Sequence, residues 1–480
     1  MVGNKQIARG FVWTSLTQGA NVFFKFLSLI ILSRILTPKE YGLIGIVMIF
    51  VEVGYMITDS GMGASLVKKR DCKHIDYDTL YIYNICVALS IYAILWVVAP
   101  YVANYYNESA LVMIIRIISL QIIIHTLYTP QYIQILKNLD FRTIAIATII
   151  ATLGSLIVAV FFAYNGYGVW ALVAQFVSEA LIFLLYYAIK NRFIPKIQFS
   201  TKSFKEQFSF GINLLGANLL NTISNNIYNN VVAKVVSLRS TGFFVQATRI
   251  QNIPVSMSTA IVDRTLFPIL SKCTDNTEFE RVYFRIYGIV MMIVCLVSSM
   301  LSGFSYDLVL TFLGNKWIEA SDVLLVLSLS IIPLTIQCFC RNALKSRGET
   351  FAILKNQIIK TMILICCLLL CSYWGFWCIV WGVVLAHLMV TISILALTSN
   401  LAKLSLCNHV RVIIPFILCS IVSVILPKII LRFECIDSAF FRLFVECTSA
   451  CFIYVISLNV LSNPYCNMVV NILIEKLKRK

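Results

Sequence analysis

About 14 long apolar segments constrain this chain more than any other feature of its sequence. Each is close to the roughly 20 mostly apolar residues that a helix needs to cross a bilayer. Because 59% of the residues are hydrophobic and only 13% are charged, little polar surface remains for a water-soluble fold. The segments comprise residues 10–33, 41–66, 79–103, 110–135, 143–163, 167–189, 208–233, 242–268, 283–304, 318–340, 351–373, 376–399, 410–428 and 440–462.

These segments are continuously apolar and do not alternate between apolar and polar residues. Strands of a membrane-spanning barrel would alternate over about 10 residues, so helices are favoured. The sequence therefore predicts an all-α polytopic membrane protein with about 14 transmembrane helices. The first segment contains Gln18, Asn21 and Lys25 and has no cleavage site of small residues, so we expect it to be the first span and not a signal peptide.

The loops between the segments carry their basic residues mainly on one side. About 25 of the 39 Lys and Arg residues fall on the side of the N-terminus, and about eight fall on the other. Loops rich in Lys and Arg stay in the cytoplasm, so both termini are predicted to be cytoplasmic. The net charge of +17 then reflects topology and attraction to anionic lipid. No basic soluble domain remains to bind nucleic acid.

The sequence has no motif for soluble enzyme chemistry. It contains no Gly-Lys-Ser/Thr loop to cradle a phosphate, and no Cys and His spacing resembles a zinc site. Most of the 16 Cys residues lie within apolar segments, which is typical of small buried side chains. The outer loops, such as 164–167 and 373–375, are too short to build a catalytic site. We therefore expect a protein that is not an enzyme and has no cofactor or metal.

An internal repeat with an offset of about 200 residues relates spans one and two to spans seven and eight. Residues 32–36 precede Gly42 as residues 232–236 precede Gly242. Six spans per copy give both copies one orientation, with a pseudo-two-fold axis along the membrane normal and a central cavity between them. The predicted domains are an N-terminal six-helix lobe at 1–195, a second six-helix lobe at 196–403, and an appended helix pair with a basic cytoplasmic tail at 404–480.

Six basic residues fall within the predicted spans, where a charge is costly and each is a candidate for function. Arg264 and Lys355 lie near cytoplasmic helix ends, where snorkelling explains them. Arg116 could snorkel outward instead of having a role in function. Arg249 could likewise form a structural ion pair. The four remaining candidates for function are Lys25, Arg116, Arg249 and Lys360, and the guanidinium fork of Arg249 could bind a phosphate group.

Polar residues form repeat-related rows on spans one and seven. Spacings of three and four residues place each row on one helix face. Hydrogen bonds between helices would explain such rows. Alternatively, the amides line a wet cavity and offer donors and acceptors to sugar hydroxyl groups without a large charge. The candidate sugar-binding residues are Gln18, Asn21, Asn218, Asn221 and Asn225.

Three carboxylates in the spans have two open interpretations. Glu52 and Asp59 lie on span two, and Asp263 lies on span eight. Each could couple transport to an ion gradient, or each could pair with a basic residue such as Lys25 or Arg249.

Four segments of the chain resemble bacterial polysaccharide-export flippases. They are residues 7–14 (IARGFVWT), 32–42 (LSRILTPKEYG), 59–70 (DSGMGASLVKKR) and 313–317 (LGNKW). The resemblance is to flippases of the O-antigen, colanic-acid and teichuronic-acid type, in the multidrug/oligosaccharidyl-lipid/polysaccharide (MOP) transporter superfamily. It covers nearly the whole chain and includes the length and the number of spans.

This resemblance implies a V-shaped pair of six-helix lobes and a location in the bacterial inner membrane. It implies that the substrate is an undecaprenyl-pyrophosphate-linked oligosaccharide, flipped for capsule, O-antigen or exopolysaccharide synthesis. It also implies a cationic central cavity that binds the pyrophosphate and acidic sugars, a role that Lys25, Arg116, Arg249 and Lys360 could fill. The expected partners are this substrate, membrane lipids, and polysaccharide polymerases and glycosyltransferases. One alternative is a cation-coupled multidrug antiporter of the same superfamily, although the basic residues in the spans argue against it. Another is a polysaccharide polymerase or ligase, against which the short outer loops argue.

Overall fold

A computed structural model of the protein describes the backbone of residues 4–69, 71–191, 193–273, 275–431, 438–461 and 465. Regular structure in these residues consists of helices, which confirms the predicted all-α fold. A 3₁₀ turn at Asn315–Trp317 precedes α13. The α-helices are α1 Asn4–Ile35, α2 Pro38–Asp59, α3 Met62–Lys68, α4 His74–Tyr106, α5 Ala110–Ile118, α6 Leu120–Lys137, α7 Phe141–Tyr164, α8 Val169–Lys190, α9 Thr201–Val235, α10 Leu238–Leu270, α11 Asn276–Gly303, α12 Ser305–Phe312, α13 Ile318–Ser328, α14 Ile331–Ser346, α15 Thr350–Ser372, α16 Phe376–Leu401, α17 Leu406–Leu431 and α18 Ala439–Val460.

Every predicted span coincides with one of these helices or with two in succession. In the described residues, 12 helices are long and apolar enough to cross a membrane, or up to 13 if a pair bent by 40° at α13 and α14 counts as one span. The predicted seventh span, α9, is fully helical but more polar than those 12. The predicted number of 14 spans is therefore approximate when spans are counted by helix length and composition. The basic tail at 476–480 lies outside the described residues.

The start of α2 shows how the sequence sets a helix boundary. Pro38 occupies the first turn, where its missing N–H costs nothing and its fixed φ suits a helix. Glu40 accepts hydrogen bonds from the backbone N–H of Thr37 at 2.6 Å and from the hydroxyl group of Thr37 at 2.9 Å. The Thr-Pro-Lys-Glu segment therefore ends the turn after α1 and begins α2.

Contacts divide the chain into two compact units, Met1–Gly242 and Phe243–Lys480. In the first unit, α1 and α8 pack on α7, and α9 packs on α2, α3 and α4. In the second unit, α11 packs against α13, α14 and α17, while α15 packs on α16 and α18 on α17. Helix α9, which follows the polar linker, thus packs with the helices that precede it. The lobe boundary at residue 195, which was inferred from the repeat, stays a prediction.

Two repeat-related glycines allow a close crossing of α2 with the first turns of α10, within the first unit. The two helices begin at Pro38 and Leu238, which agrees with the offset of about 200 residues. A Cβ atom added at Gly42 would overlap with the backbone carbonyl group of Leu238. Conversely, a Cβ atom at Gly242 would overlap with that of Pro38. The contact is therefore reciprocal, and it needs the absence of a side chain on both sides.

Buried Asp78, in the first turns of α4, holds the linker between α8 and α9 against the first unit. The Asp78 carboxylate accepts a hydrogen bond from the backbone N–H of Lys196 at 2.8 Å, and His74 Nδ1 lies 2.7 Å from its other oxygen. The hydroxyl group of Thr79 accepts a further bond from the Ser200 N–H at 3.1 Å. A linker that looks polar and unstructured in the sequence is thus fixed to α4 at two points.

A second set of contacts joins the start of α9 to the same region. Asp76 accepts hydrogen bonds from the Ser203 hydroxyl group at 2.6 Å and from Lys69 Nζ at 3.0 Å. Lys69 also reaches Glu206 on α9 at 3.2 Å. Partial burial opposes the charge of Lys69, but the hydrogen bonds and charges of Asp76 and Glu206 outweigh it and raise the pKa of Lys69. These contacts favour the position of α9 within the first unit.

In the second unit, the appended helix α17 is joined to α11 by a buried histidine. His409 Nε2 lies 3.0 Å from the hydroxyl oxygen of Tyr283, and its Nδ1 lies 2.9 Å from the Ser405 carbonyl oxygen. The rings of Phe284 and Tyr287 pack on the same imidazole at centroid distances of 4.9 and 5.2 Å. The appended helices are thus part of the packed core of this unit.

Substitution of Gly42 or Gly242 by Ala should lower the thermal unfolding temperature of the detergent-solubilised protein. The added methyl group would force the two backbones apart, at a cost of about 1–3 kcal/mol. Gly216→Ala is the matched control, because open space surrounds that glycine on α9. Equal unfolding temperatures for the three variants would contradict the reciprocal crossing.

Asp78→Ala should release the linker, because the Lys196 N–H would lose its acceptor. Hydrogen exchange followed by mass spectrometry should show about tenfold faster exchange in peptides covering 193–200, as expected for the loss of a hydrogen bond to a charged group. Asp71→Ala, at an exposed position, is the control and should leave this exchange unchanged.

Candidate functional site

The predicted row on α1 lies on the surface of the first unit. Gln18 and Lys25 are exposed, and Asn21 is half-buried. One atom of the row, Asn21 Oδ1, is buried without a hydrogen bond in the described part of the chain. The face therefore presents a cation and amide groups in one line.

The predicted asparagine row on α9 also lies on an exposed face. Asn218, Asn221 and Asn225 are all exposed in the first unit. A second asparagine row on the same helix behaves differently. Asn226 is buried and donates a hydrogen bond to Glu52 Oε2 of α2 at 2.6 Å, and Asn230 accepts one from the Tyr106 hydroxyl group at 3.1 Å. One side of α9 thus packs through polar contacts, while the other side exposes amides.

Two of the predicted acidic residues of the first unit have defined contacts on α2. Glu52 is the acceptor of the Asn226 amide, so a structural hydrogen bond is present there. Asp59 accepts a hydrogen bond from the backbone N–H of Gly61. These contacts favour a structural role for both carboxylates, while their predicted role in ion coupling stays a prediction.

Two residues of α8 that were not among the predicted site residues, Gln175 and Glu179, lie beside the row on α1. The Gln175 amide donates a hydrogen bond to the Ser28 hydroxyl group of α1 at 2.8 Å. Glu179 lies one turn further along α8 and interacts electrostatically with Lys25. The spacing of four residues between Gln175 and Glu179 on an apolar span was the available signal.

Arg116 lies on α5 next to α4 rather than next to α1. Its guanidinium carbon is 4.1 Å from the centroid of the Trp96 ring, and the group donates a hydrogen bond to the Trp96 carbonyl oxygen at 3.4 Å. A cation–π contact of this kind stabilises a guanidinium group on an apolar surface. The described contacts of Arg116 are thus with Trp96, and its predicted role in substrate binding stays a prediction.

Lys360 lies in the interior of the second unit, on α15. Only 5% of its surface is exposed, and it interacts electrostatically with Arg341 and His387. Nearby, the Gln337 amide donates hydrogen bonds to the His387 carbonyl oxygen at 3.1 Å and to the Thr391 hydroxyl group at 3.0 Å. The structure thus places Lys360 in a polar cluster of α14, α15 and α16 that was not predicted. Its role in substrate binding stays a prediction.

The two remaining predicted residues lie on α10 in the second unit. Asp263 is exposed and accepts a hydrogen bond from the Asn342 amide at 2.7 Å. Arg249 is half-buried. Lys25 belongs to the other unit, so the joint action of Lys25 and Arg249 on one substrate stays a prediction. No group of three or more His, Cys, Asp or Glu residues that could hold a metal ion occurs among the residues that the structure describes.

The exposed rows on α1 and α9 offer amide groups and one ammonium group, and their predicted role in substrate binding stays a prediction. Amides bind hydroxyl groups through paired donors and acceptors, and an ammonium group binds phosphate oxygens through charge-assisted hydrogen bonds. Nothing in these rows resembles a nucleophile with an adjacent base.

The sequence of the chain matches a known family of proteins. Residues 31–322 match the family described as polysaccharide biosynthesis protein. The chain is 26% identical over 334 residues to the teichuronic acid biosynthesis protein TuaB of Bacillus subtilis, with 68% of each chain covered. It is 25% identical over 332 residues to the succinoglycan biosynthesis transport protein ExoT of Rhizobium meliloti, covering 68% of this chain and 67% of ExoT.

The fold also matches known transporters. It is similar to the lipid II flippase MurJ in an inward closed conformation, with a TM-score of 0.77 and 12% identity, covering 96% of this chain and all of MurJ. It is similar to an inward-facing multidrug resistance MATE transporter of the MOP superfamily, with a TM-score of 0.61 and 14% identity, covering 82% of this chain and 98% of that one. These matches confirm the predicted MOP fold.

Asn226→Leu should destabilise the first unit, because Glu52 would remain half-buried without its hydrogen-bond donor. A loss of about 1–3 kcal/mol in unfolding free energy is expected. The double variant Glu52→Leu/Asn226→Leu should recover much of that loss, since both polar partners are then removed. Thermal unfolding of the wild type and the three variants measures the coupling, and additive effects would contradict it.

Proposed function

Since the chain belongs to the polysaccharide biosynthesis protein family, we propose that it flips a lipid-linked oligosaccharide across the bacterial inner membrane. The substrate class is an undecaprenyl-pyrophosphate-linked oligosaccharide repeat unit, destined for a capsule, an O-antigen or an exopolysaccharide. The names of the relatives support a role in cell-surface polysaccharide synthesis. The fold, shared with a lipid flippase, suits transport of a lipid-linked headgroup.

One observation in the chain carries the proposal. The repeat-related helices α1 and α9 each expose a row of amides, and the row on α1 includes the cation of Lys25. A polar row within a membrane helix needs water, protein or a polar ligand beside it. An oligosaccharide diphosphate supplies both hydroxyl groups and negative charge, and therefore matches amides and an ammonium group together.

In the proposed mechanism, the headgroup passes through a polar cavity by alternating access while the polyprenyl tail stays in the lipid. Lys25 and Arg249 attract the pyrophosphate, with Arg116 and Lys360 as further candidates. The asparagines of α9 contact sugar hydroxyl groups. Glu52, Asp59 or Asp263 would couple the cycle to an ion gradient.

Protein orientation and partners complete the proposal. The excess of basic residues in alternate loops supports cytoplasmic termini in the inner membrane. Glycosyltransferases that build the substrate would act on the cytoplasmic side, and a polymerase would receive the flipped unit on the other side.

A multidrug antiporter is the second candidate, and the fold similarity to a MATE transporter favours it. Such a protein binds organic cations, so an acidic and aromatic site would be expected. The exposed Lys25 opposes it. Protection of a drug-sensitive host on expression of this chain would support the antiporter and oppose the flippase.

Lys25→Gln and Arg249→Gln should each lower export of the surface polysaccharide about tenfold or more in a strain that lacks the chromosomal copy. Each variant would lose a charge-assisted contact to pyrophosphate, worth about 1.5–3 kcal/mol. Immunoblots of membranes should show unchanged protein levels. Lys202→Gln, an exposed position at the start of α9, is the matched control. Normal export in both test variants would remove these residues from the site.

A further inference from the structure

One carboxylate, Glu179, lies where it can act on Lys25. The Gln175–Ser28 hydrogen bond of 2.8 Å fixes α8 beside α1 at one level. Lys25 lies three residues before Ser28, and Glu179 lies four residues after Gln175. Since α1 is an odd span and α8 an even span, the two helices run in opposite directions. Lys25 therefore lies about one turn from Ser28, and Glu179 about one turn from Gln175, in the same direction along the membrane normal. The two charges are thus at a common level.

The interaction between Lys25 and Glu179 leaves the ammonium group accessible. Glu179 interacts electrostatically with Lys25, while the neighbouring Gln175 and Ser28 side chains form a direct hydrogen bond between α8 and α1. Lys25 is exposed on the unit surface, and Glu179 is half-buried. The ammonium group is therefore attracted to the carboxylate but remains accessible to another anion.

The other groups around Glu179 are aromatic and belong to α2 and α6. Tyr55 and Tyr128 both lie near the carboxylate. His125 packs between them, with ring centroids 5.0 Å from each. Among the described residues, Lys25 is the basic side chain whose charge acts on Glu179. The local balance of charge at this point thus depends on where the Lys25 ammonium lies.

We propose that Glu179 is a positioning residue that competes with the substrate diphosphate for Lys25. The inference rests on the proposed flippase function. With the cavity empty, Glu179 attracts the ammonium group. When the diphosphate binds, Lys25 turns to it, and when the headgroup must leave, Glu179 offers Lys25 an alternative anion. Glu179 thereby weakens binding and speeds release.

This competition predicts an unusual pattern of transport kinetics. In Glu179→Gln, the diphosphate no longer competes for Lys25, so it binds more tightly and leaves more slowly. The half-saturating substrate concentration should fall about fivefold, which is typical of coupling between two binding events. The maximal rate should fall as well, because release becomes slower.

Initial translocation rates in proteoliposomes test the proposal, with lipid-linked oligosaccharide extracted from the source organism as the probe. Lys25→Gln should raise the half-saturating concentration. The double variant Lys25→Gln/Glu179→Gln should behave like Lys25→Gln, because Glu179 acts only through that ammonium group. Glu179→Asp should stay close to the wild type since it keeps the charge, and Glu278→Gln, an exposed carboxylate at the start of α11, controls for the loss of negative charge.

The outcomes separate this inference from the proposed function. Absence of translocation by the wild-type protein would contradict the flippase assignment itself. Translocation by the wild type with an unchanged or raised half-saturating concentration in Glu179→Gln would overturn the competition. A lowered maximal rate alone would indicate that Glu179 only supports the structure.

Discussion

The need to satisfy polar groups within an apolar environment governs most of what is distinctive in this chain. Hydrocarbon offers no hydrogen bonds, so each amide, hydroxyl or charged group in a span must find a protein partner, water or a ligand. Helix α9 shows both solutions on one helix. On one side, Asn226 forms a hydrogen bond with Glu52, and Asn230 forms one with Tyr106. On the other side, Asn218 and Asn225 lie on an exposed face.

The same requirement explains how far the sequence predicted the fold. A long apolar segment in lipid has to form its backbone hydrogen bonds within itself, and only a helix does so. The all-α fold and the positions of the helices were therefore predictable. The predicted repeat pairs Gly42 with Gly242, and both have to lack a side chain where α2 crosses the start of α10. The attachment of the linker was not predictable. It depends on Asp78 meeting the Lys196 N–H, a contact between residues more than 100 positions apart.

The candidate site was only partly predictable, for a related reason. Helical spacing identified which polar residues share a face, and Gln18, Lys25 and Asn218 do lie on exposed faces. Spacing along one helix cannot show which neighbour a charge meets. Thus Lys25 interacts with Glu179 of α8 rather than with an acid of α2, Arg116 packs on Trp96, and Lys360 is enclosed with His387. Each of these contacts depends on how separate helices pack.

The packing of α9 on α2, α3 and α4 has a consequence for biogenesis. A chain inserted from its N-terminus would present six spans before this helix emerges, and the polar edge of α2 at Glu52 would still lack Asn226. The first unit is therefore complete only when synthesis has passed residue 242, well beyond the predicted lobe boundary at residue 195. A fragment cut at the repeat boundary would expose an unfinished surface, and membrane quality control would degrade it faster than a fragment that ends after α9.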